Sequence, residues 1–345
     1  MNSPKRKRSK RPARSYFGDR TIGKVAVIAG VSKATVSRFF NSPGLLSRDT
    51  SARVEQAIQR VGYIPNLLAG ALTTKRTGLI AAVIPSIAQS IFSSTIQSVT
   101  DALAAEGYSV LLALTGSNDE YARRQVMSVV GRRPDGIILT GASLDAETRA
   151  QLRATRIPTI ETWDLPDDPI DLAVGFSHAK VGAAVAKHAL ARGRKRTLVI
   201  SATGARALER CRSFTQTMTG QGAPPPALCT FEGTTTFGKS RRALAAHLDG
   251  GGRPELVFCS SDIGAHGVIA ELHERGIRIP DDIAVIGFGD LDFAADLAPS
   301  LTTVKIDGSA IAQKTAEFLL LRARKKRIAN PIVDIGFELI VRSSG

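Results

Sequence analysis

The sequence predicts two folded parts, an all-α helix-turn-helix head and a larger α/β core with two lobes of parallel sheet. The first observation is a concentration of positive charge: residues 1–76 carry 16 Lys and Arg against three acidic residues, whereas residues 77–345 carry 30 basic and 28 acidic ones. The second is that, from Gly78 onward, apolar strand-like runs alternate with amphipathic helical stretches. Such alternation indicates parallel sheets that are covered by helices on both faces.

The composition excludes several classes of protein. At 345 residues and 43% hydrophobic content, the chain can bury the cores of two or three domains. Its three cysteines, Cys211, Cys229 and Cys259, form no CxxC pair, so we expect no disulfide framework, metal site or cofactor. No apolar run reaches the ~18 residues of a membrane span, and no apolar segment follows the basic N-terminus. We therefore expect a cytoplasmic protein without a membrane role.

The first 20 residues form a separate basic segment that we expect to be disordered. They include the run KRKRSKRPAR at residues 5–14, which is of low complexity and almost free of apolar side chains. Such a segment either contacts a polyanion or is a solvated tail, and the sequence leaves both alternatives open.

Residues 21–66 carry the helix-turn-helix pattern, beginning TIGKVAVIAGVSKATVSRFF. Ala26 is small where two helices cross, Gly30 tolerates a positive φ in the turn, and Val36 is an apolar anchor for the second helix. Ser32 and Ser47 are predicted N-caps. Lysine and arginine side chains on the outward face of that helix are able to bind base edges or phosphates.

The core contains eight predicted strands and one clear amphipathic helix. Phe92, Ile96, Val99 and Leu103 recur at helical spacing and predict one buried stripe. Eight strands are many for a single small sheet, so two sheets in two lobes are expected. The predicted strands are Leu79–Ile84, Ser109–Leu114, Gly136–Thr140, Thr159–Trp163, Leu172–Phe176, Thr197–Ser201, Leu256–Cys259 and Ala284–Phe288.

The run Gly30-Val31-Ser32-x-x-Thr35-Val36-Ser37-Arg38, then Asn41, then Gly62-Tyr63-Ile64-Pro65-Asn66, resembles the head of the LacI/GalR repressors. The resemblance extends over nearly the whole chain beyond residue 20. It implies a DNA-binding repressor that reads a pseudo-palindromic operator as a homodimer. The DNA-binding positions that it implies are Thr21, Ser32, Lys33, Ala34, Thr35, Ser37, Arg38, Asn41, Tyr63, Asn66, Ala69 and Leu72.

The resemblance also implies a hinge at residues 67–76 that becomes helical on operator DNA. In this arrangement Leu72 inserts into the minor groove at the centre of the dimer. The alternative is that Leu72 is an apolar residue that covers the core. Two residues depart from the family pattern. Lys24 stands where an acid is usual, and Gly70 lies inside the hinge, where glycine costs about 1 kcal/mol of helix stability relative to alanine.

For the core, the resemblance implies the fold of periplasmic binding proteins, with crossovers near Gly175, Thr303 and Asn330. One lobe would comprise about 77–174 and 304–330, and the other about 175–303 and 331–345. Such lobes close on a ligand between them, which supports binding and not catalysis. The effector-binding positions that the resemblance implies are Ser86, Ser90, Phe92, Glu161, Arg206, Arg210, Phe237, Ser261, Asp262 and Asp290.

The chemistry of these positions favours an anionic effector. Glu161 matches a cleft acid of the family, and Arg206 and Arg210 match a segment whose guanidinium grips a carboxylate through paired hydrogen bonds. Gly289 replaces a frequent effector-binding acid, although Asp290 is adjacent. The alternatives are a solvated helix residue for Arg206, core packing for Phe237 and a helix cap for Asp262.

Two stretches, PSIAQSIFSSTIQSVTDAL and PTIETWDLPDDPIDLAVGFSHAKVG, are most similar to gluconate-operon repressors within the family. We therefore expect a sugar acid such as gluconate, whose binding releases DNA. The alternatives are a neutral sugar or other effector, an effector that recruits DNA binding, or a solute-binding protein without a DNA role. An enzyme is not expected, since the chain has no P-loop, GxSxG or HExxH motif and no GxGxxG after its first strand.

Overall fold

The computed structural model of the protein describes residues 20–64, 76–87, 90–116, 119–141 and 144–345. The chain divides into two compact units, Met1–Lys75 and Arg76–Gly345. The predicted tail up to residue 19 and the hinge positions Asn66, Ala69, Gly70 and Leu72 lie outside the described residues. In the described part of the chain, no helix is long and apolar enough to cross a membrane.

The smaller unit is helical. Its described residues, 20–64, form α1 (Ile22–Ala29), α2 (Lys33–Asn41) and α3 (Arg48–Val61), with a 3₁₀ turn at Pro43–Leu45. The predicted helix-turn-helix is therefore present, with α1 and α2 as its two helices.

Side-chain caps and left-handed glycines set the ends of these helices. Ser32 Oγ accepts a hydrogen bond from Thr35 N at 3.1 Å, and Ser47 Oγ accepts one from Thr50 N at 3.2 Å. Gly30 ends α1 with φ +64°, a conformation that costs glycine little because it lacks a Cβ. Both predicted N-caps and the predicted turn glycine are confirmed.

The apolar faces of the three helices meet in one small core. Its most exposed member retains only 4% of its surface, so the helices are held mainly by burial of apolar side chains. The core consists of Val25, Ala26, Ala29, Val36, Val54 and Ala57.

The described residues of the larger unit form twelve strands. The first five strands along the chain belong to one lobe: β1 (Leu79–Ile84), β2 (Ser109–Leu114), β3 (Gly136–Thr140), β4 (Thr159–Thr162) and β5 (Leu172–Gly175). The remaining seven are β6 (Thr197–Ala202), β7 (Ala227–Phe231), β8 (Leu256–Cys259), β9 (Ala284–Gly289), β10 (Thr302–Lys305), β11 (Ile332–Asp334) and β12 (Glu338–Ile340).

These strands form two six-stranded sheets. The first has the order β11-β5-β4-β3-β1-β2 and the second β12-β10-β9-β8-β6-β7. Every described pairing is parallel except that of β10 with β12. The expected two lobes of parallel sheet are therefore confirmed.

Eight helices cover the two sheets. Four are α4 (Ser93–Ala104), α5 (Asp119–Val130), α6 (Ala146–Thr155) and α7 (His178–Ala191). The other four in the described residues are α8 (Ala205–Gly220), α9 (Phe237–Asp249), α10 (Asp262–Glu274) and α11 (Gly308–Ala323).

The amphipathic stripe predicted around α4 is confirmed. Phe92, Val99 and Leu103 are buried, and Ile96 packs against the same core. Four of the twelve strands are not among the eight predicted ones: β7, β10, β11 and β12. β7 is an edge strand that lacks a run of buried apolar residues, and β10 begins with two threonines, Thr302 and Thr303, that are buried through hydrogen bonds.

The chain crosses between the lobes three times. It crosses between β5 and α7, between β10 and α11, and between β11 and β12. The prediction of the third crossover near Asn330 is wrong, because Ile332–Asp334 still pairs with Ala173–Gly175 in the first sheet. This strand therefore belongs to the first lobe, and the crossover lies between Asp334 and Glu338.

Candidate DNA-binding helix and effector cleft

The solvent face of α2 is polar and basic. Lys33, Ala34 and Arg38 are exposed on it, whereas Val36 on the opposite face is completely buried. The buried valine fixes the rotation of α2, so the three exposed positions are presented together. Basic groups on such a face are able to donate to base edges and phosphates.

Other predicted DNA-binding residues of the head have structural contacts as well. Thr21 Oγ1 caps α1 by accepting from Lys24 N at 3.3 Å. Asn41 Nδ2 donates to the carbonyl oxygen of Ser37 at 2.9 Å, and the ring of Tyr63 lies 6.2 Å from that of Phe40. Ser32 and Thr35, at the start of α2, cap the same helix turn.

In the core, the cleft lies between the carboxyl ends of the strands of the two lobes. Pro85 and Ser86 follow β1, Gly141 follows β3, and Trp163 and Asp164 follow β4. On the other side, Arg206 lies in the first turn of α8. The lobes touch across the cleft, because a Cβ on Gly289 would lie 3.2 Å from Ile91 Cδ1.

Arg206 extends from the second lobe onto the first. Its Cζ lies 5.3 Å from the centre of the Phe92 ring, and a Cβ on Gly141 would overlap its guanidinium. Burial lowers the pKa of Arg206, and the nearby carboxylate of Asp164 acts in the opposite direction. Burial also raises the pKa of Asp164, which the charge of Arg206 opposes. Arg206 and Asp164 thus form a partly desolvated pair of opposite charges across the cleft.

Arg210, one turn further along α8, is 5% exposed and lies deeper. Its Nη1 donates to Nδ1 of His178 at 2.9 Å, and its Cζ lies 3.8 Å from the centre of the Phe288 ring. Burial, and then the charge of Arg206, lower the pKa of Arg210 to about 9, so it stays charged at neutral pH. Its buried Nε has no hydrogen-bond partner in the described residues.

His178 connects Arg210 to the other lobe. Because its Nδ1 accepts from Arg210, its Nε2 carries the proton and donates to the carbonyl oxygen of Trp163 at 3.0 Å. Burial, and then Arg210 and Arg206, lower the pKa of His178 to about 2. The indole Nε1 of Trp163 donates in turn to Thr95 Oγ1 in α4 at 3.2 Å.

Comparison with known proteins identifies both units. Residues 21–66 match the family described as bacterial regulatory proteins of the lacI family, and residues 186–345 match the periplasmic binding protein-like domain. The transcriptional regulator GntR of Pseudomonas aeruginosa is 31% identical over 338 residues, which cover 95% of this chain and 96% of that protein. The chain belongs to the LacI family.

Solved structures of LacI-family proteins share this fold. A LacI-family regulator from Silicibacter pomeroyi superposes with a TM-score of 0.88 at 27% identity, covering 94% of this chain and 98% of that one. The lac repressor dimer bound to operator and the anti-inducer ONPF superposes with a TM-score of 0.80 at 24% identity, covering 94% and 98%. This LacI-family chain is therefore a DNA-binding transcriptional repressor, and its regulator relatives confirm that it is not an enzyme.

Glu161, expected as a cleft acid, is held by contacts within its own lobe. Arg149 in α6 donates to both of its carboxylate oxygens, at 2.6 and 3.1 Å, and Ile170 N donates at 2.7 Å. Glu161 therefore anchors α6 and a surface loop of the LacI-family core. The acid whose charge acts on Arg206 is Asp164, which was not predicted because it lies beyond the end of β4 and outside any apolar run.

The remaining candidates of the first lobe lie beside the cleft. Ser86 is half-buried after β1, and Ser90 begins a 3₁₀ turn that ends at the buried Phe92. Phe237, in the second lobe, instead places its ring 5.0 Å from that of His266, edge to face. The structure thus brings Phe92 to the side of Arg206, and gives Phe237 a packing contact.

The last three candidates have internal hydrogen bonds. Ser261 Oγ caps α10 by accepting from Gly264 N at 3.2 Å. The fully buried Asp262 accepts from Thr303 Oγ1 and Leu291 N, and burial raises its pKa to about 6.

Asp290 is paired within its own lobe. Its Oδ1 lies 2.8 Å from Nη2 of Arg342, and its φ of +48° is unusual for a residue with a side chain. Among the described residues, no three His, Cys, Asp or Glu side chains come together in a way that would hold a metal ion.

Proposed function

We propose that this repressor binds a pseudo-palindromic operator as a homodimer and is released by a sugar acid such as gluconate. Two heads on a two-fold axis match the symmetry of such an operator. The proposed DNA contacts are Thr21, Ser32, Lys33, Ala34, Thr35, Ser37, Arg38, Asn41, Tyr63, Asn66, Ala69 and Leu72.

The homodimer is supported by exposed apolar side chains on the two edge strands of the core. Leu112 and Leu114 on β2, and Leu228 on β7, are between 37% and 55% exposed. Apolar edge strands favour association unless they are covered. Sedimentation of the full chain tests this proposal, and a monomer at micromolar concentration would contradict it.

The charge balance of the cleft is the observation that carries the effector class. Two cations, the half-buried Arg206 and the buried Arg210, act on each other, and the carboxylate of Asp164 opposes both charges. A ligand with one carboxylate restores neutrality, and the unpartnered Nε of Arg210 offers it a charge-assisted hydrogen bond. The proposed effector site consists of Ser86, Phe92, Asp164, Arg206 and Arg210.

The proposed mechanism depends on two states of the core. A ligand that contacts Arg206 and Arg210 from one lobe, and Phe92 from the other, stabilises one relative angle of the lobes. It changes operator affinity only by the difference between its affinities for the two states. In the proposed direction, ligand binding favours the state in which the heads release DNA.

The experiment is operator titration with and without candidate effectors. A duplex is first selected from a random pool by the wild-type protein, and its release is followed with gluconate, related sugar acids and neutral hexoses. Release by sugar acids, with at least a tenfold higher midpoint for Arg210→Lys, is the expected result, since lysine cannot form paired hydrogen bonds. A response to neutral hexoses alone would support the alternative of a neutral-sugar effector.

A further inference from the structure

A cluster of exposed basic side chains surrounds the point at which the chain enters the core. Arg76 Nη2 donates to the carbonyl oxygen of Ala323 at the end of α11, and Thr77 Oγ1 donates to that of Arg133 after α5. The C-terminal ends of α5 and α11 therefore both lie beside Arg76. We call this cluster the basic collar, and it consists of Arg76, Arg132, Arg133, Arg324, Lys325, Lys326 and Arg327.

The two acidic residues beside the collar already accept hydrogen bonds from neighbouring groups. Glu106 accepts from Arg324 Nη2 at 3.1 Å, and the carboxylate of Asp135 accepts from the backbone amides of Thr77 and Gly78. Together with Arg76 and Arg324, these two acids line one shallow cavity of about 300 Å³, which places them on a single surface. The collar thus carries seven basic groups against two acids.

The collar accounts for the whole positive excess of the core. Residues 77–345 carry 30 basic and 28 acidic groups, and six of those basic groups and two of the acids belong to the collar. The rest of the core is left with 24 basic and 26 acidic groups. Positive charge is therefore gathered at one place and is not spread evenly over the core.

Ordinary helix capping does not explain the collar. Basic residues at a helix C-terminus interact favourably with the helix dipole, but this effect is confined to the last turn. The run from Arg324 to Arg327 begins after the last residue of α11, and Lys325 has already left the helical conformation with φ +55°. The side chains of Lys325, Lys326 and Arg327 are exposed and make no hydrogen bond or ion pair with described residues.

We propose that the collar binds the phosphate backbone of the DNA that the head holds, and this inference rests on the DNA-binding function. Eleven residues lie between Ile64 of the head and Arg76, so this tether spans at most about 40 Å when fully extended. DNA bound by the head is consequently kept at a high local concentration near the collar.

A polyanion fits the collar better than an acidic protein does. Protein interfaces usually have an apolar centre, and none of the large apolar side chains exposed in the described residues lines the collar's cavity. Phosphate contacts are sequence-independent and additive, so the collar would raise operator affinity without changing base preference.

The test compares two triple variants of the full chain that remove the same charge. The collar variant is K325Q/K326Q/R327Q, and the control is K187Q/R192Q/R242Q, whose three side chains are exposed on the second lobe. Binding is measured by fluorescence anisotropy over a range of salt concentrations. The probe is the pool-selected duplex, extended by several turns on each side, and a duplex of random sequence is measured in parallel.

We expect the collar variant to lower the slope of log affinity against log salt by about 2–3, because each phosphate contact contributes about 0.9. The loss of DNA affinity of the collar variant relative to wild type should shrink as the salt concentration rises. The control variant should bind DNA as wild type does. Equal slopes for the collar variant and wild type would overturn the proposal and favour an acidic protein as the partner. An equal loss in both variants would also overturn it, whereas failure of the wild type to bind any duplex would refute the operator proposal itself.

Discussion

The guanidinium of Arg206 lies against the backbone of Gly141 in the opposite lobe, at a distance that leaves no room for a side chain. The φ of Gly141 is +66°, so the residue combines a left-handed conformation with a close approach across the cleft. A side chain at this position would conflict with the closed arrangement of the lobes. Gly141 therefore controls whether Arg206 reaches the first lobe.

We predict that Gly141→Ala weakens the response to effector while leaving operator binding intact. The added methyl group displaces Arg206, and the effector midpoint should rise at least about tenfold, which corresponds to about 1.4 kcal/mol. Gly193→Ala is the matched control. Gly193 also has a positive φ, +74°, but a Cβ added there would have no neighbour within 4 Å. Both variants should lose about 1 kcal/mol of stability, and an equal effector response in both would contradict the prediction.

The pairing of His178 with Arg210 predicts a specific pattern of destabilisation. His178→Ala leaves the Arg210 Nη1 donor buried without its partner, which costs about 2 kcal/mol for a charged group. His178→Asn should recover part of this loss, since its amide oxygen accepts from Arg210 and its amide nitrogen donates to Trp163. Urea unfolding of both variants measures the difference, and identical losses would show that the hydrogen bonds contribute nothing.

Asp262 predicts a pH dependence of stability. Burial raises its pKa from 3.8 to about 6, so the folded chain binds the proton more tightly than the unfolded chain does. The free energy of unfolding should therefore fall as pH rises from about 4 to about 6, by an amount on the order of 2–3 kcal/mol.

The substitution Asp262→Asn removes this titration and keeps an acceptor for Leu291 N, while its amide nitrogen donates to Thr303 Oγ1 instead of accepting from it. Unfolding of wild type and variant is compared at about pH 4.5 and about pH 7.5. The free energy of unfolding of the variant should increase relative to that of wild type at the higher pH. A difference that is the same at both pH values would rule out Asp262 as the titrating group.

Two matched caps separate the folding role of Ser32 from its proposed role on DNA. Ser32 and Ser47 cap α2 and α3 with the same geometry, so Ser32→Ala and Ser47→Ala should each cost about 1 kcal/mol of stability. Only Ser32→Ala should also weaken operator binding at temperatures where both variants are folded, by about fivefold or more. Equal operator affinities would assign Ser32 to capping alone.

Local patterns in the sequence were sufficient to predict much of the fold. The caps at Ser32 and Ser47, the turn at Gly30 and the buried stripe through Leu103 all depend on neighbours within a few residues, so their spacing predicts them correctly. The apolar runs likewise predicted most strands of both sheets. β7 was not predicted because an edge strand with one face toward solvent needs no continuous apolar run.

The sequence by itself determined that this protein has a basic helical head, a two-lobed α/β core and a pair of arginines on one helix. Only the tertiary structure decided which acid faces those arginines, because Glu161 and Asp164 are three residues apart and equally plausible from their chemistry. Arg149 neutralises Glu161 on the far side of β4, while the chain turns after Thr162 and brings Asp164 toward Arg206. The physical reason is that charge pairing across a cleft depends on contacts between residues distant in the chain, which no local pattern encodes.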